Sequence, residues 1–210
     1  MSSTISIALV MAISLASAGC VASRPAHYYT IEPPSVPTNP SNPGGLVLLV
    51  GNIAASEAVQ DSRIRYRVGA NEAGAYEYHR WTERPTIMIR KSLLRALRAS
   101  GKYQSVLESS SSVTGDYLLR GKLYEFGEVD RASIQTRISL QVELLDKKAN
   151  RNVWDHLAEH EVPVSSKDIN DVVQSLDRNV EQVVSEIAAE IDRFLAAAGP
   201  RYDLLRAGGA

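Results

Sequence analysis

The sequence predicts an α+β fold of two layers: a largely antiparallel or mixed sheet, covered on one face by helices that include a long C-terminal helix. Three observations carry this. Residues Ser133 to Leu145 alternate strictly, with Ile134, Thr136, Ile138, Leu140, Val142 and Leu144 facing one way and Gln135, Arg137, Ser139, Gln141 and Glu143 the other. That is the period of a half-buried strand. From Ile169 onward Val172, Leu176, Val180, Val183, Ile187, Ile191 and Phe194 recur at steps of three and four, one face of an amphipathic helix. Third, the lengths match. A helix from Asp168 to Leu195 is about 42 Å long, and a strand of 13 residues is about 43 Å. The helix can therefore lie along a hairpin and cover its apolar face. A coiled coil is the rival use of that helix, because its apolar stripe is narrow.

The elements follow in chain order. Ile5 to Leu15 is an apolar run too short to span a bilayer, which needs roughly 20 residues, and it fits the core of a secretory signal. Two cleavage readings compete. Ala16-Ser17-Ala18 is an A-x-A site, and Ser17-Ala18-Gly19-Cys20 resembles the bacterial lipobox, in which the cysteine thiolate takes up lipid. The chain's one cysteine stands directly after this signal. Six prolines between Pro25 and Pro43 then make a semi-rigid spacer. Within it, His27-Tyr28-Tyr29-Thr30-Ile31 has the residue types of an edge strand.

Leu46 to Val50 is a continuous apolar run, the pattern of a strand buried on both faces. Arg63 to Val68 alternates and, through the turn Gly69 to Gly74, forms a hairpin with Tyr76 to Arg80. A helix capped by Thr82, with Pro85 in its first turn and Gly101 past its end, carries the stripe Ile89, Leu93, Leu97 opposite Lys91, Arg95 and Arg98. A short strand follows at Tyr103 to Leu107, then long strands at Asp116 to Phe126, Ser133 to Leu145 and Asn152 to Val164. The domain plan is a signal peptide over 1–19, a lipidated proline-rich tether over 20–44, one α+β domain over 45–198 and a flexible tail over 199–210.

Composition excludes several functions. Against 24 acidic residues stand 23 Lys and Arg, a net charge of −1, so the chain lacks the broad basic footprint of a nucleic-acid binder. One cysteine builds neither a disulfide nor a Cys-rich metal centre. His156-Leu157-Ala158-Glu159-His160 spells the H-x-x-E-H of inverted zinc peptidases, a motif that works only on a helix. Here it lies between Trp154 and Val162 in strand chemistry, where the two histidines are roughly 13 Å apart and cannot share one zinc. No nucleophile elbow, P-loop or dinucleotide fingerprint is present. The expectation is no catalytic residue, no metal and no cofactor other than a covalent lipid on Cys20. Arg63, Arg65 and Arg67 stand about 7 Å apart along one strand face, either as a solvated edge or as a row that recognises acidic groups.

Several segments together point to a family: Ile64-Arg65-Tyr66-Arg67; Tyr76-Glu77-Tyr78-His79-Arg80-Trp81-Thr82-Glu83-Arg84-Pro85; Leu93 to Leu97; and Ser100-Gly101-Lys102-Tyr103-Gln104-Ser105-Val106. With Cys20, Tyr28-Tyr29-Thr30 and Trp154, this set resembles the auxiliary lipoproteins of ABC-type transport systems, especially those working with MCE-domain lipid transporters. The resemblance spans roughly residues 20 to 195, and its most specific part is Arg80-Trp81-x-Glu83-x-Pro85. It implies acylation of Cys20, palmitate among the acyl chains, and attachment to the periplasmic face of the outer membrane, consistent with Val21 following the cysteine. It also implies assistance to phospholipid movement through an MCE-domain protein and an ABC permease/ATPase complex. A homo-oligomer is left open. Arg65, Arg67 and Arg84 are the expected partner-docking residues, and Trp81, Glu83 and Pro85 are expected to fix a strand-to-helix corner. The alternative is an envelope adaptor that activates or scaffolds a cell-wall enzyme. Fold alone does not separate the two.

Overall fold

A computed structural model describes residues 24–31, 42 and 45–207, with side chains placed through residue 197. The signal segment 1–19, Cys20, residues 21–23, 32–41 and 43–44 of the tether and the last three residues lie outside the described residues. In chain order the elements are β1 (His27–Tyr29), β2 (Val47–Ala55), α1 (Glu57–Gln60), β3 (Arg63–Val68), β4 (Glu72–Trp81), α2 (Pro85–Ala99), β5 (Ser105–Glu108), β6 (Tyr117–Asp130), β7 (Ile134–Asp146), β8 (Arg151–Pro163) and α3 (Ile169–Ala207).

The long alternating strands dominate. β7 pairs antiparallel with β6 along the whole of Tyr117 to Asp130 and with β8 from Gln135 to Asp146, which makes an eight-stranded mixed sheet with β8 on one edge. Because β7 fills one side of β6 completely, the other side is shared. β2 pairs in parallel with Tyr117 to Leu123, and β3 pairs in parallel with Glu128 to Asp130. The two strands thus occupy one lane in succession, and α1 is the excursion between them. β4 pairs with β3, and β1 pairs in parallel with β4 at the far edge, so the short tyrosine segment is the edge strand its residue types suggest.

The alternation places Ile138, Leu140, Val142 and Leu144, all fully buried, under α3, whose Val172, Leu176, Ile187 and Ile191 are equally buried. α3 packs on β7, β8 and α2, so its stripe meets the sheet and the coiled-coil alternative does not apply. Each such side chain removed from water contributes about 1.5–3 kcal/mol. Three buried polar residues interrupt the stripe: Ser175, Asn179 and Asp192. Ser175 Oγ lies 2.9 Å from Thr136 Oγ1, Asn179 Nδ2 donates to Thr136 O at 3.0 Å and to His160 O at 3.2 Å, and Tyr103 Oη donates to Asp192 Oδ1 at 2.6 Å. These bonds hold one helix register against the sheet.

The expected corner is present. Trp81 is 2% exposed with its ring edge-on to Phe126 at 5.5 Å, Lys91 Nζ is 2.6 Å from Glu83 Oε1, and Pro85 is the first residue of α2. Several boundaries differ from expectation, and β4 begins at Glu72 rather than Tyr76 because Glu72 to Ala75 pair with Val68 to Arg65. The N-cap of α2 is Arg84 rather than Thr82, because Pro85 takes the first helical position, which its fixed φ and missing N–H suit. β2 runs on to Ala55 and β6 to Asp130, since both have ladder partners there. β5 begins at Ser105, because Tyr103 turns inward to Asp192. The one-turn helix α1 falls between the patterns that sequence periodicity reads.

Candidate docking cleft

The shared lane leaves a break. Between Leu123, the last partner of β2, and Glu128, an early partner of β3, residues 124–127 of β6 have no ladder partner on that side among the described residues. A cleft of about 220 Å³ opens there, and its wall includes Tyr124, Glu125, Phe126 and Gly127 of β6, Arg65 and Arg67 of β3, and Arg137 of β7. Gly127 permits the approach of β3. A Cβ on it would stand 2.6 Å from Arg65 O, closer than any side-chain carbon can sit, so only glycine allows the two strands to meet as they do.

The three arginines expected on one row have separate fates. Arg63 donates from Nε to Asp61 Oδ2 at 2.8 Å, and that bond holds the Asp61 carboxyl below its usual range. Arg67 pairs with Glu125 at 2.8 Å. Arg65 lines the cleft, and its guanidinium makes no hydrogen bond or ion pair among the described residues. Arg84 is exposed at the start of α2 and does not line the cleft. Arg65 and Arg67 are therefore brought together, and Arg84 is set apart.

Charged residues that the sequence showed only as the polar side of two strands complete the wall. Arg137 donates to Glu125 from Nε, to Glu161 at 2.6 Å and to Glu159 at 3.1 Å, and these carboxylates, Glu161 foremost, raise its pKa further. Glu125 thus bridges Arg67 and Arg137, and Arg65 is the cation left over. Glu128, buried and also lining the cleft, accepts from Tyr76 Oη at 2.6 Å; burial first, and then that carboxylate, push the Tyr76 pKa up. In the sequence the signal for this site was Gly127 inside an otherwise regular strand.

The H-x-x-E-H segment lies in β8, as its strand chemistry implies. His156 Nε2 is 2.6 Å from Glu186 Oε1 and His160 Nε2 meets Glu186 Oε2, so one carboxylate of α3 ties both rings to the helix. Glu159 faces the opposite side and bonds Ser139 and Arg137. Among the described residues no group of three or more His, Cys, Asp or Glu is arranged to hold a metal ion. Among them, too, no helix is long and apolar enough to cross a membrane.

The family model described as ABC-type transport auxiliary lipoprotein component matches residues 29–188, from the end of β1 to about the middle of α3. The chain belongs to this family of transport auxiliary lipoproteins. A crystal structure of a Xanthomonas campestris protein has 26% identity and a TM-score of 0.67, covering 78% of this chain and 93% of that one. A crystal structure of an uncharacterized protein has 15% identity and a TM-score of 0.63, covering 80% and 99%, and shares the fold. No curated protein matches the chain.

Proposed function

We propose that this auxiliary lipoprotein is acylated on Cys20, stands on the periplasmic face of the outer membrane, and docks through the Arg65–Arg67 cleft to an MCE-domain protein served by an ABC permease/ATPase complex. Membership of the transport auxiliary family supports the class of role. The observation that carries the docking site is Arg65, a cation in the wall of a concave break in the sheet whose guanidinium makes no hydrogen bond or ion pair among the described residues. An acidic side chain of the partner entering the cleft would complete the alternation of charge that Arg67, Glu125 and Arg137 begin. A charge-assisted bond of this kind contributes on the order of 1.5–3 kcal/mol when water is excluded.

Arg65→Glu tests this, since the guanidinium makes no hydrogen bond or ion pair among the described residues and bears on Asp61 only through space. Capture of the partner in detergent should weaken by about tenfold or more while thermal melting stays unchanged. Arg67→Glu places like charge beside Glu125, so it should weaken capture and lower the melt together. Normal capture by the Arg65→Glu protein refutes the site.

A further inference from the structure

A second cationic surface lies at the opposite end of β3 and β4. The edge strand β1 pairs with β4 so that Tyr28 stands opposite Arg80. The segment is held firmly: the Thr82 N–H donates to Tyr29 O at 2.8 Å, Tyr29 Oη is 2.9 Å from His79 Nδ1, the His27 ring stacks on His79, and Ile31 is 4% exposed. The Arg24 guanidinium lies 5.9 Å over the Tyr78 ring. The corner thus presents Arg24, Arg80, Arg84 and Tyr28, the last 64% exposed. None of these three guanidinium groups makes a hydrogen bond or ion pair among the described residues. Of the acids nearby, Asp61 pairs with Arg63, Glu83 pairs with Lys91, and Asp168, whose charge reaches Tyr29, accepts from the Asn170 N–H.

The position of β1 sets how far this corner can stand from an anchor at Cys20. His27 is seven chain steps from Cys20, a reach of at most about 25 Å. Were β1 not part of the sheet, the first fixed point would be Asn42, whose N–H donates to Tyr103 O at 3.0 Å, and the reach would be about 80 Å. Docking of β1 turns a long spacer into a short strap that brings one edge of the sheet to the membrane. The opposite edge, β8, is five strand spacings away, roughly 24 Å.

We propose that this corner lies against the anchoring membrane and engages anionic lipid headgroups, with Arg24, Arg80 and Arg84 on phosphates and Tyr28 at headgroup depth. Guanidinium groups pair with phosphate through two parallel bonds, and tyrosine is a residue of the membrane–water boundary. Attraction to a charged surface fades within roughly 8–10 Å at physiological salt, so the short strap is what makes these charges count. The inference rests on acylation of Cys20, which the proposed function also uses, and not on the docking cleft.

The test uses the lipidated full chain in vesicles. With Cys20 occupied by lipid, a cysteine introduced at Thr30→Cys or Leu157→Cys is the only free thiol and takes a fluorescent label. Quenching by nitroxide-headgroup lipid is then measured in phosphatidylethanolamine–phosphatidylglycerol vesicles and in phosphatidylcholine. Quenching at position 30 should exceed that at 157 severalfold in the anionic vesicles. It should fall on changing to phosphatidylcholine, in high salt, and in an Arg24→Glu/Arg80→Glu variant of unchanged melt. The lipid change leaves the protein untouched and reads the face even if that variant unfolds. Equal quenching at both positions, or a signal at 30 that ignores lipid charge, overturns the proposal, and so does a chain that does not float with vesicles. The vesicles contain no transporter, so these outcomes are independent of partner capture through Arg65.

Discussion

Replacing Gly127 by alanine probes the break in the sheet directly. The added Cβ would stand 2.6 Å from Arg65 O and 3.2 Å from Arg65 C and Cβ, and the nearest of these atoms is backbone, which cannot rotate away as a side-chain end would. β3 must therefore move off β6 at the level of Arg65, and the ladder from Tyr66 to Val68 beyond it must give. Overpacking of this kind costs about 1–3 kcal/mol. At about 2–4 °C per kcal/mol for a chain of this size, the melt should fall by roughly 2–12 °C. Since the displaced residues carry two of the cleft's arginines, partner capture should weaken along with it. Gly69→Ala is the control: Gly69 has φ +59° with nothing within 4 Å of an added Cβ, so it brings backbone strain of about 1 kcal/mol and leaves the cleft intact. Thermal melting and capture would be measured on both proteins. A Gly127→Ala protein that melts and captures like the parent, or a Gly69→Ala protein that loses capture, refutes the reasoning that close approach of β3 to β6 builds the site.

Two further outcomes follow from the helix–sheet contact. Asn179→Asp keeps the shape of a fully buried residue but turns its donating nitrogen, bonded to Thr136 O, Thr136 Oγ1 and His160 O, into an oxygen facing acceptors. It should cost about 3 kcal/mol or more and lower the melt by roughly 6–12 °C, and a parental melt would show the network is not as described. Burial raises the pKa of Glu186, but the bonds from His160 and His156 outweigh it and hold the carboxyl below its usual value. A depressed folded-state pKa stabilises above the unfolded carboxylate value of about 4.3 and loses that contribution as pH falls through the folded value. Urea melts should accordingly show Glu186→Gln less stable than the parent at neutral pH, with the gap narrowing in acid below about pH 4. A gap that is constant with pH, or that widens in acid, counts against the carboxylate bridge.

What could be read from the residues alone was whatever depends on neighbours close in the chain. The alternation of β7, the stripe of α3, the β3–β4 hairpin and the strand character of the H-x-x-E-H segment are local periodicities, and each is present in the fold. The edge strand at His27 to Tyr29 was legible from β-branched and aromatic chemistry, and the Trp81–Pro85 corner from proline at a helix start. The family, too, was carried by contiguous residues and is matched over 29–188.

The site belongs to the other category. Nothing near Arg65 in the chain says that its strand continues the lane of β2 beside β6, because parallel neighbours are joined by excursions whose length and composition do not encode a register. Glu125, the partner of both Arg67 and Arg137, lies on another strand, so a row that looks uniform in sequence separates into two paired arginines and one that makes no hydrogen bond or ion pair among the described residues only when the strands are laid side by side. The same holds for Ser175 and Asn179, which look like flaws in an apolar stripe until Thr136 is set against them. By itself the sequence determined the elements, their buried faces and the family, since those follow from side-chain spacing and contiguous motifs. Only tertiary structure decided which strands share an edge, and with it where the cleft opens and that β1 joins the far edge of the sheet, because those depend on pairing between distant backbone groups.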